Sequence, residues 1–129
     1  MKKFLLIGSI LACAATSAMA KPALCPFTDY FVINAPTGTI ITSLTSSGNL
    51  NVSVTDPTTF ITYCKENTME SGYATVTVVE NTNSSCTLKI QDGPYVMNPV
   101  VNSINCSGNL RYDRMDHTTG TYTYTLKFI

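Results

Sequence analysis

The chain has 129 residues, with 8 basic and 8 acidic side chains and a formal net charge of zero. Charged residues are 12% of the sequence, and no basic run occurs. Nucleic-acid binding is therefore not expected, because it needs a positive stripe that contacts the phosphates. The length suits one domain with a single core, and the abundance of Thr, Ser and Asn favours β-rich structure with neutral outer faces.

The first 20 residues have the features of an export signal. Lys2 and Lys3 provide the positive start, residues 4–15 form a short apolar run, and residues 18–20 read Ala-Met-Ala, a small-residue cleavage site. The apolar run is too short for a membrane-spanning helix. We therefore expect cleavage after residues 1–20 and a periplasmic or secreted protein of residues 21–129, in which six basic and eight acidic side chains remain.

A second processing pattern overlaps the first. Residues 10–13 read Ile-Leu-Ala-Cys, which resembles the processing site of bacterial lipoproteins, where a lipidated cysteine becomes the new N-terminus. That resemblance implies a lipid anchor on Cys13, and membrane contact is expected only in that case. The site at residues 18–20 is the better formed of the two, so export without a lipid is the preferred prediction.

Four cysteines follow the export signal, at Cys25, Cys64, Cys86 and Cys106. An even number in an exported chain predicts two disulfides. Three pairings are possible, and Cys25–Cys64 with Cys86–Cys106 is preferred because both bonds close shorter loops and the second would join neighbouring strands. A metal site is not expected at the cysteines, since no two have Cys-x-x-Cys spacing and the single histidine, His117, is distant in sequence.

Apolar and polar residues alternate along most of the mature chain, which predicts about eight or nine short strands. The predicted strands cover residues 27–34, 39–44, 50–55, 59–64, 74–79, 86–91, 110–113 and 120–129, with an irregular or edge strand within 95–104. Residues 39–55 are expected to form a hairpin, 65–72 to be a polar connection with room for a short helical turn, and 114–120 to be a polar connection. The pattern predicts one all-β domain over residues 21–129, a small antiparallel β-sandwich that is immunoglobulin-like or related.

The last strand has the clearest alternation. Tyr122, Tyr124, Leu126 and Phe128 fall on one face, while threonines and a lysine fall on the other, so the first four are expected to face the core. The strand resembles the last strand of pilin-type immunoglobulin-like subunits, which implies a surface fibre assembled by strand addition as an alternative function. It is also similar to the closing strand of an outer-membrane β-barrel, a further alternative that the short chain and paired cysteines disfavour.

Asp113, Asp116 and His117 lie in the densest group of ionisable residues. The group would suit a metal ion, and His117 would suit a general base near neutral pH. A solvated loop is the preferred interpretation, because the group has no second contributor elsewhere in the sequence. These residues are therefore a candidate polar site only, and no catalytic residue, metal or cofactor is predicted.

The sequence has none of the common patterns of an enzyme. It has no Gly-x-Ser-x-Gly elbow, no phosphate-binding glycine loop and no mature cysteine left over as a nucleophile. Acids such as Asp29, Glu66 and Glu70 are scattered, and nothing in the sequence brings two of them together for glycoside hydrolysis. An enzyme is not expected, and a small hydrolase that uses residues 113–117 is a minor alternative.

Tyrosine is the remaining signal, since the chain has 7 tyrosines and no tryptophan. Tyrosine suits contact surfaces because it is large, rigid and polar at one end. The lack of tryptophan makes a sugar-stacking platform less favoured. Together with export and disulfides, this composition predicts a binding or structural protein of the cell envelope or the extracellular space, whose partner is a protein or a surface glycan.

Overall fold

The computed structural model describes residues 27–94, 96 and 98–129, and this part of the chain contains nine strands and no helix. The predicted export signal, Cys13 and Cys25 lie outside the described residues. The strands are β1 (Thr28–Asn34), β2 (Ile40–Gly48), β3 (Leu50–Asp56), β4 (Thr59–Cys64), β5 (Gly72–Val79), β6 (Ser85–Asp92), β7 (Val100–Ser107), β8 (Leu110–Thr118) and β9 (Thr121–Phe128).

The strands form two sheets that pack face to face. One sheet has five strands in the order β3-β4-β1-β9-β8, and the other has four in the order β2-β5-β6-β7. All neighbouring strands are antiparallel except β1 and β9, which are parallel and lie side by side within the five-stranded sheet. The prediction of an all-β, mainly antiparallel sandwich with eight or nine strands is confirmed.

The core lies between the sheets and follows the predicted alternation. The five-stranded sheet contributes an aromatic cluster in which the Phe31 ring stacks on Phe60, Tyr122 and Tyr124, with ring centroids 4.7, 5.5 and 5.9 Å away. The four-stranded sheet contributes aliphatic side chains from β5 and β6, such as Val76. The strands inside the two sheets, β1, β4, β5, β6 and β9, bury alternate side chains along the covered part of their length, as a half-buried pleated surface requires.

The last strand confirms most of its predicted inward face. Tyr122, Tyr124 and Leu126 are 5%, 0% and 2% exposed. The prediction for Phe128 was wrong, because its side chain is 47% exposed. Phe128 is the last residue of β9 and is paired with Leu110, the first residue of β8, so it stands at the end of the sheet. Alternation predicts the face of a side chain but not where the covering sheet ends.

The predicted hairpin over residues 39–55 was wrong. β2 pairs with β5 and β3 pairs with β4, so the chain passes from one sheet to the other between these two strands. Gly48 permits the corner with a φ of 70°, a conformation that side chains disfavour. Asn49 then fixes the corner, since its Nδ2 donates to the carbonyls of Glu66 and Glu70 and its Oδ1 accepts the Glu66 N–H.

Three further segments can be compared with the sequence predictions. No helical turn forms in residues 65–71. Residues 114–118 were expected to be a connection, but β8 continues to Thr118, because its backbone pairs with β9 and its charged side chains can point outward from an edge strand. β7 is an edge strand, as predicted, and begins at Val100 directly after Pro99.

The Cys86–Cys106 disulfide is confirmed. It joins directly opposite residues of β6 and β7, with a Cα–Cα distance of 4.0 Å. The described residues thus contain one complete disulfide where two were predicted. Cys64 is also disulfide-bonded. Its expected partner, Cys25, lies outside the described residues, so the Cys25–Cys64 pairing stays a prediction.

Candidate functional site

The structure separates His117 from the other two residues of the sequence-predicted polar site. Asp113 and Asp116 both bind Arg114, whose Nη1 lies 3.0 Å from Asp113 Oδ2 and whose Nε lies 2.9 Å from Asp116 Oδ2. His117 is on the other face of β8, where its ring stacks on Tyr122 at 4.4 Å. The described residues contain no group of three or more metal-ligating side chains. The acids of this cluster therefore form exposed ion pairs, which contribute little to stability.

A different pair of acids meets inside the sandwich, and sequence reasoning missed it. Asp92, the last residue of β6, is fully buried, and the carboxyl group of Asp29 on β1 lies within hydrogen-bonding reach of its carboxyl group. Asp92 Oδ2 accepts a hydrogen bond from Thr62 Oγ1 at 2.7 Å, and Oδ1 accepts one from the Gly93 N–H at 2.8 Å. Thr62 is the residue directly opposite Asp29 on β4, so both lie on the inner face of the five-stranded sheet.

The pKa of Asp92 is raised to about 7. The largest cause is burial, which removes the carboxylate from water, and the second is the hydrogen bond with Asp29. Burial also raises the pKa of the nearby Tyr122 and Tyr124 hydroxyls, and the two aspartates raise both further. This end of the sandwich is therefore a weakly solvated place in which negative charge is unfavourable.

The sequence did contain a signal for this pair. Asp29 is in phase with the core residues Phe31 and Ile33, and Asp92 is in phase with Leu88 and Ile90. A carboxyl group that continues an inward-facing alternation must be buried with a partner or must lie beyond the core. Residues 92–94 were instead interpreted as a turn, so the phase of Asp92 was not used.

An exposed apolar patch lies on the opposite face of the same sheet. Tyr30 and Tyr63 are 50% and 37% exposed, and the half-buried Val32 and Ile61 lie beside them. Tyr30 is directly opposite Ile61 in the register of β1 and β4, which places Tyr63 on the diagonal from Tyr30. We call these four residues, Tyr30, Val32, Ile61 and Tyr63, the tyrosine patch.

The surroundings of the tyrosine patch carry little charge. Besides the patch itself, the outward positions of β1, β3 and β4 carry threonine, serine and asparagine, with a single acid, Asp56, at the end of β3 opposite Thr59. The outer face of the other sheet differs, because Tyr73, the tyrosine that the described residues place there, is half-buried and Lys89 Nζ lies 4.6 Å above its ring. Depletion of charge around exposed tyrosines is the composition found at the centre of protein interfaces.

The sheet edges carry a different feature. Each of the four edge strands, β2, β3, β7 and β8, has one register shift in its described ladder, whereas the internal pairs β1–β4, β1–β9 and β5–β6 have none. Bulges at edges twist a strand and hinder pairing with another chain. Contact with a partner is therefore better supported at the outer face than at these edges.

Comparison of the chain with known protein families, with curated proteins and with solved structures found no match. Within the described residues, no helix is long and apolar enough to cross a membrane. The tyrosine patch and the buried acid pair are thus the two features from which a function can be argued.

Proposed function

We propose that this protein is an exported, disulfide-bonded β-sandwich that acts by binding another protein in the cell envelope or outside the cell. The tyrosine patch carries the proposal. It presents two exposed tyrosines and two aliphatic side chains on a sheet, among neighbours that are mostly hydroxyl and amide groups. Tyrosine gives large contact area at low conformational cost, and neighbouring small polar side chains supply adaptable hydrogen bonds.

One property favours a protein partner over a glycan. Ile61 lies beside both tyrosines and Val32 lies beside Tyr30, and aliphatic side chains gain from dehydration against apolar side chains rather than against sugar hydroxyls. The disulfide Cys86–Cys106 is compatible with the predicted export, because such bonds persist in oxidising compartments. The closer assignment to immunoglobulin-like sandwiches belongs to the same proposal and is supported by two mainly antiparallel sheets around one core.

Site-specific photo-crosslinking in the producing cell tests the binding face. A benzoyl-phenylalanine is placed at Tyr30, and in a control chain at Tyr73 on the outer face of the other sheet. We expect a discrete protein adduct from position 30 and little or none from position 73. The adduct should disappear when Tyr63 and Ile61 are replaced by serine. Equal adducts from both positions, no adduct from position 30, or an adduct that is glycan would overturn a protein-binding face.

A fibre subunit is the second candidate, and one observation favours it. β7 is an uncharged edge strand whose Val100 and Ile104 side chains are 51% and 45% exposed. An uncharged edge can accept a strand from another subunit, although the register shift in β7 opposes this. The terminal strand itself is paired on both sides, with β1 and β8. Strand addition would therefore use an edge such as β7.

Multimer formation separates the fibre candidate from the binding module. A fibre subunit should give multimers that resist detergent at room temperature and dissociate only on heating. Ile104→Lys should abolish them, since a lysine on an edge strand blocks pairing, whereas Thr87→Lys on the internal strand β6 should not. A protein that stays monomeric at all concentrations would contradict the fibre candidate.

A further inference from the structure

The buried acid pair joins the two sheets at one end of the sandwich. Asp92 ends β6 in the four-stranded sheet, while Asp29 and Thr62 are paired neighbours in the five-stranded sheet. The hydrogen bonds of Asp92 to Asp29 and to Thr62 Oγ1 therefore cross from one sheet to the other. These contacts are polar bonds between sheets that otherwise meet through apolar side chains.

The pair needs a proton to keep this geometry. Two carboxyl groups can be hydrogen-bonded to each other only when one of them is protonated and donates. If both groups ionise, two negative charges face each other where water is largely excluded. Their repulsion is then poorly screened, so the doubly ionised pair is unstable in this geometry. The proton is therefore part of the contact between the sheets.

No described cation offsets that second charge. The groups that act on the Asp92 carboxyl are Asp29, Thr62 and the Gly93 N–H. From β9, Tyr122 and Tyr124 are close enough to feel both aspartates. From β8, His117 is stacked on the Tyr122 ring and is exposed to solvent.

We propose that Asp29 and Asp92 form a proton-operated clasp between the two sheets, which holds the end of β6 when protonated and releases it when both carboxyl groups ionise. Release would affect β7 most, because β6 is its only paired neighbour in the sheet order. The far half of β7 stays fixed by the Cys86–Cys106 disulfide. The near half, beginning at Val100, depends on the end of β6 and would loosen as the pH rises.

The direction of the pH effect follows from the raised pKa of Asp92, about 7 in the folded protein against an ordinary value of 3.8. Well below pH 4 the Asp92 carboxyl is protonated in both the folded and the unfolded state, and its contribution to the free energy of unfolding has its full value. Between pH 4 and 7 the unfolded state loses the proton first, so folding becomes less favourable with rising pH. The unfolding equilibrium constant should rise by up to about a thousandfold over this range and change little above it.

Urea unfolding of the disulfide-bonded protein between pH 4 and 8.5 tests the clasp. The unfolding free energy of the parent should fall as the pH rises from 4 to 7. Asp92→Asn should remove most of that pH dependence and be more stable than the parent at pH 8, because an amide donates to Asp29 without needing a proton. Asp116→Asn is the matched control, since Asp116 is exposed and bound to Arg114, and it should keep the parental slope.

His117 is present in all these variants, so a difference in slope between parent and Asp92→Asn is not caused by the histidine. A parent whose stability is constant between pH 4 and 7, or an Asp92→Asn variant with the parental slope, would overturn the proposal. If Asp92→Asn fails to fold, the same urea measurement is made on Asp29→Asn. In addition, the carbon-13 shifts of the carboxyl groups of the parent are followed as the pH changes. The Asp92 carboxyl should titrate near pH 7, and titration of Asp92 near pH 4 would overturn the clasp.

Hydrogen exchange locates the release. After correction for intrinsic rates, the Val101 amide in β7 should lose protection by at least tenfold between pH 5 and 8 in the parent. At pH 8 its opening free energy and the urea dependence of that opening should both be smaller than those of the Thr77 amide in the internal strand β5. The Asp92→Asn variant should not show the pH-dependent loss at Val101. Equal opening free energies and equal urea dependences at both amides in the parent would mean global unfolding rather than release of one end, and would contradict a local clasp.

Discussion

The inward face of β9 gives the sharpest test of the packing. Leu126 is 2% exposed and lies among the core side chains of both sheets, whereas Thr125 is half-exposed and points to the outer face. Leu126→Ala removes buried side-chain atoms and leaves a cavity, which should cost about 2–5 kcal/mol of unfolding free energy. Leu126→Asp adds a buried unpaired carboxylate and should cost several kcal/mol more, enough to unfold a domain of ordinary stability.

The matched control is one residue out of phase. Thr125→Asp places the same carboxylate directly opposite Arg114 on β8, so its cost should stay within about 1 kcal/mol. Thr123→Asp should be slightly worse, because residue 123 is opposite Asp116 and like charges across strands repel. Urea melts of all four variants beside the parent, under oxidising conditions, provide the measurement. Coincident melts for Leu126→Asp and Thr125→Asp, or a loss below about 1 kcal/mol for Leu126→Ala, would refute this packing.

Three further predictions concern the disulfides, the corner between the sheets and the export signal. Replacing Cys86 and Cys106 together by alanine should lower the unfolding free energy by about 3 kcal/mol in the chain-entropy treatment of a 20-residue separation, measured by urea melts. Non-reducing peptide maps should also link Cys25 to Cys64, and a different partner would contradict that pairing. Asn49→Ala should cost about 1–3 kcal/mol because it leaves the Glu66 N–H without its side-chain acceptor, while Asn51→Ala on the outer face of β3 should change stability by less than about 0.5 kcal/mol. The intact mass of the exported protein should correspond to a chain that begins at Lys21, and a lipidated start at Cys13 would contradict the predicted cleavage.

Local alternation determined much of this fold from the sequence. A period of two assigns each side chain to a face, and it placed Tyr122, Tyr124 and Leu126 inward as the structure has them. It also placed Cys86 inward, and the preference for short loops between neighbouring strands then predicted the Cys86–Cys106 bond, which the structure contains. These inferences needed only neighbours along the chain, which is why they required no knowledge of the other strands.

Alternation does not specify partners, and the tertiary structure decided these. The turn at residues 45–49 was predicted as a hairpin, but β2 and β3 belong to different sheets because each finds its hydrogen-bonding partner elsewhere in the chain. Residues 114–118 looked like a polar connection, since a charged edge strand has the same composition as a loop until its pairing with β9 is known.

Both features from which we argue function depend on such pairings. Tyr30 and Tyr63 lie 33 positions apart in sequence, and only the antiparallel register of β1 and β4 brings them into one patch. Asp29 and Asp92 lie in different sheets and meet only because the sheets pack face to face. The alternation of β1 places Asp29 on the face of Phe31 and Tyr30 on the opposite face. Which side chains become neighbours was decided by contacts between distant segments, whose energies depend on the whole packed core rather than on any local pattern.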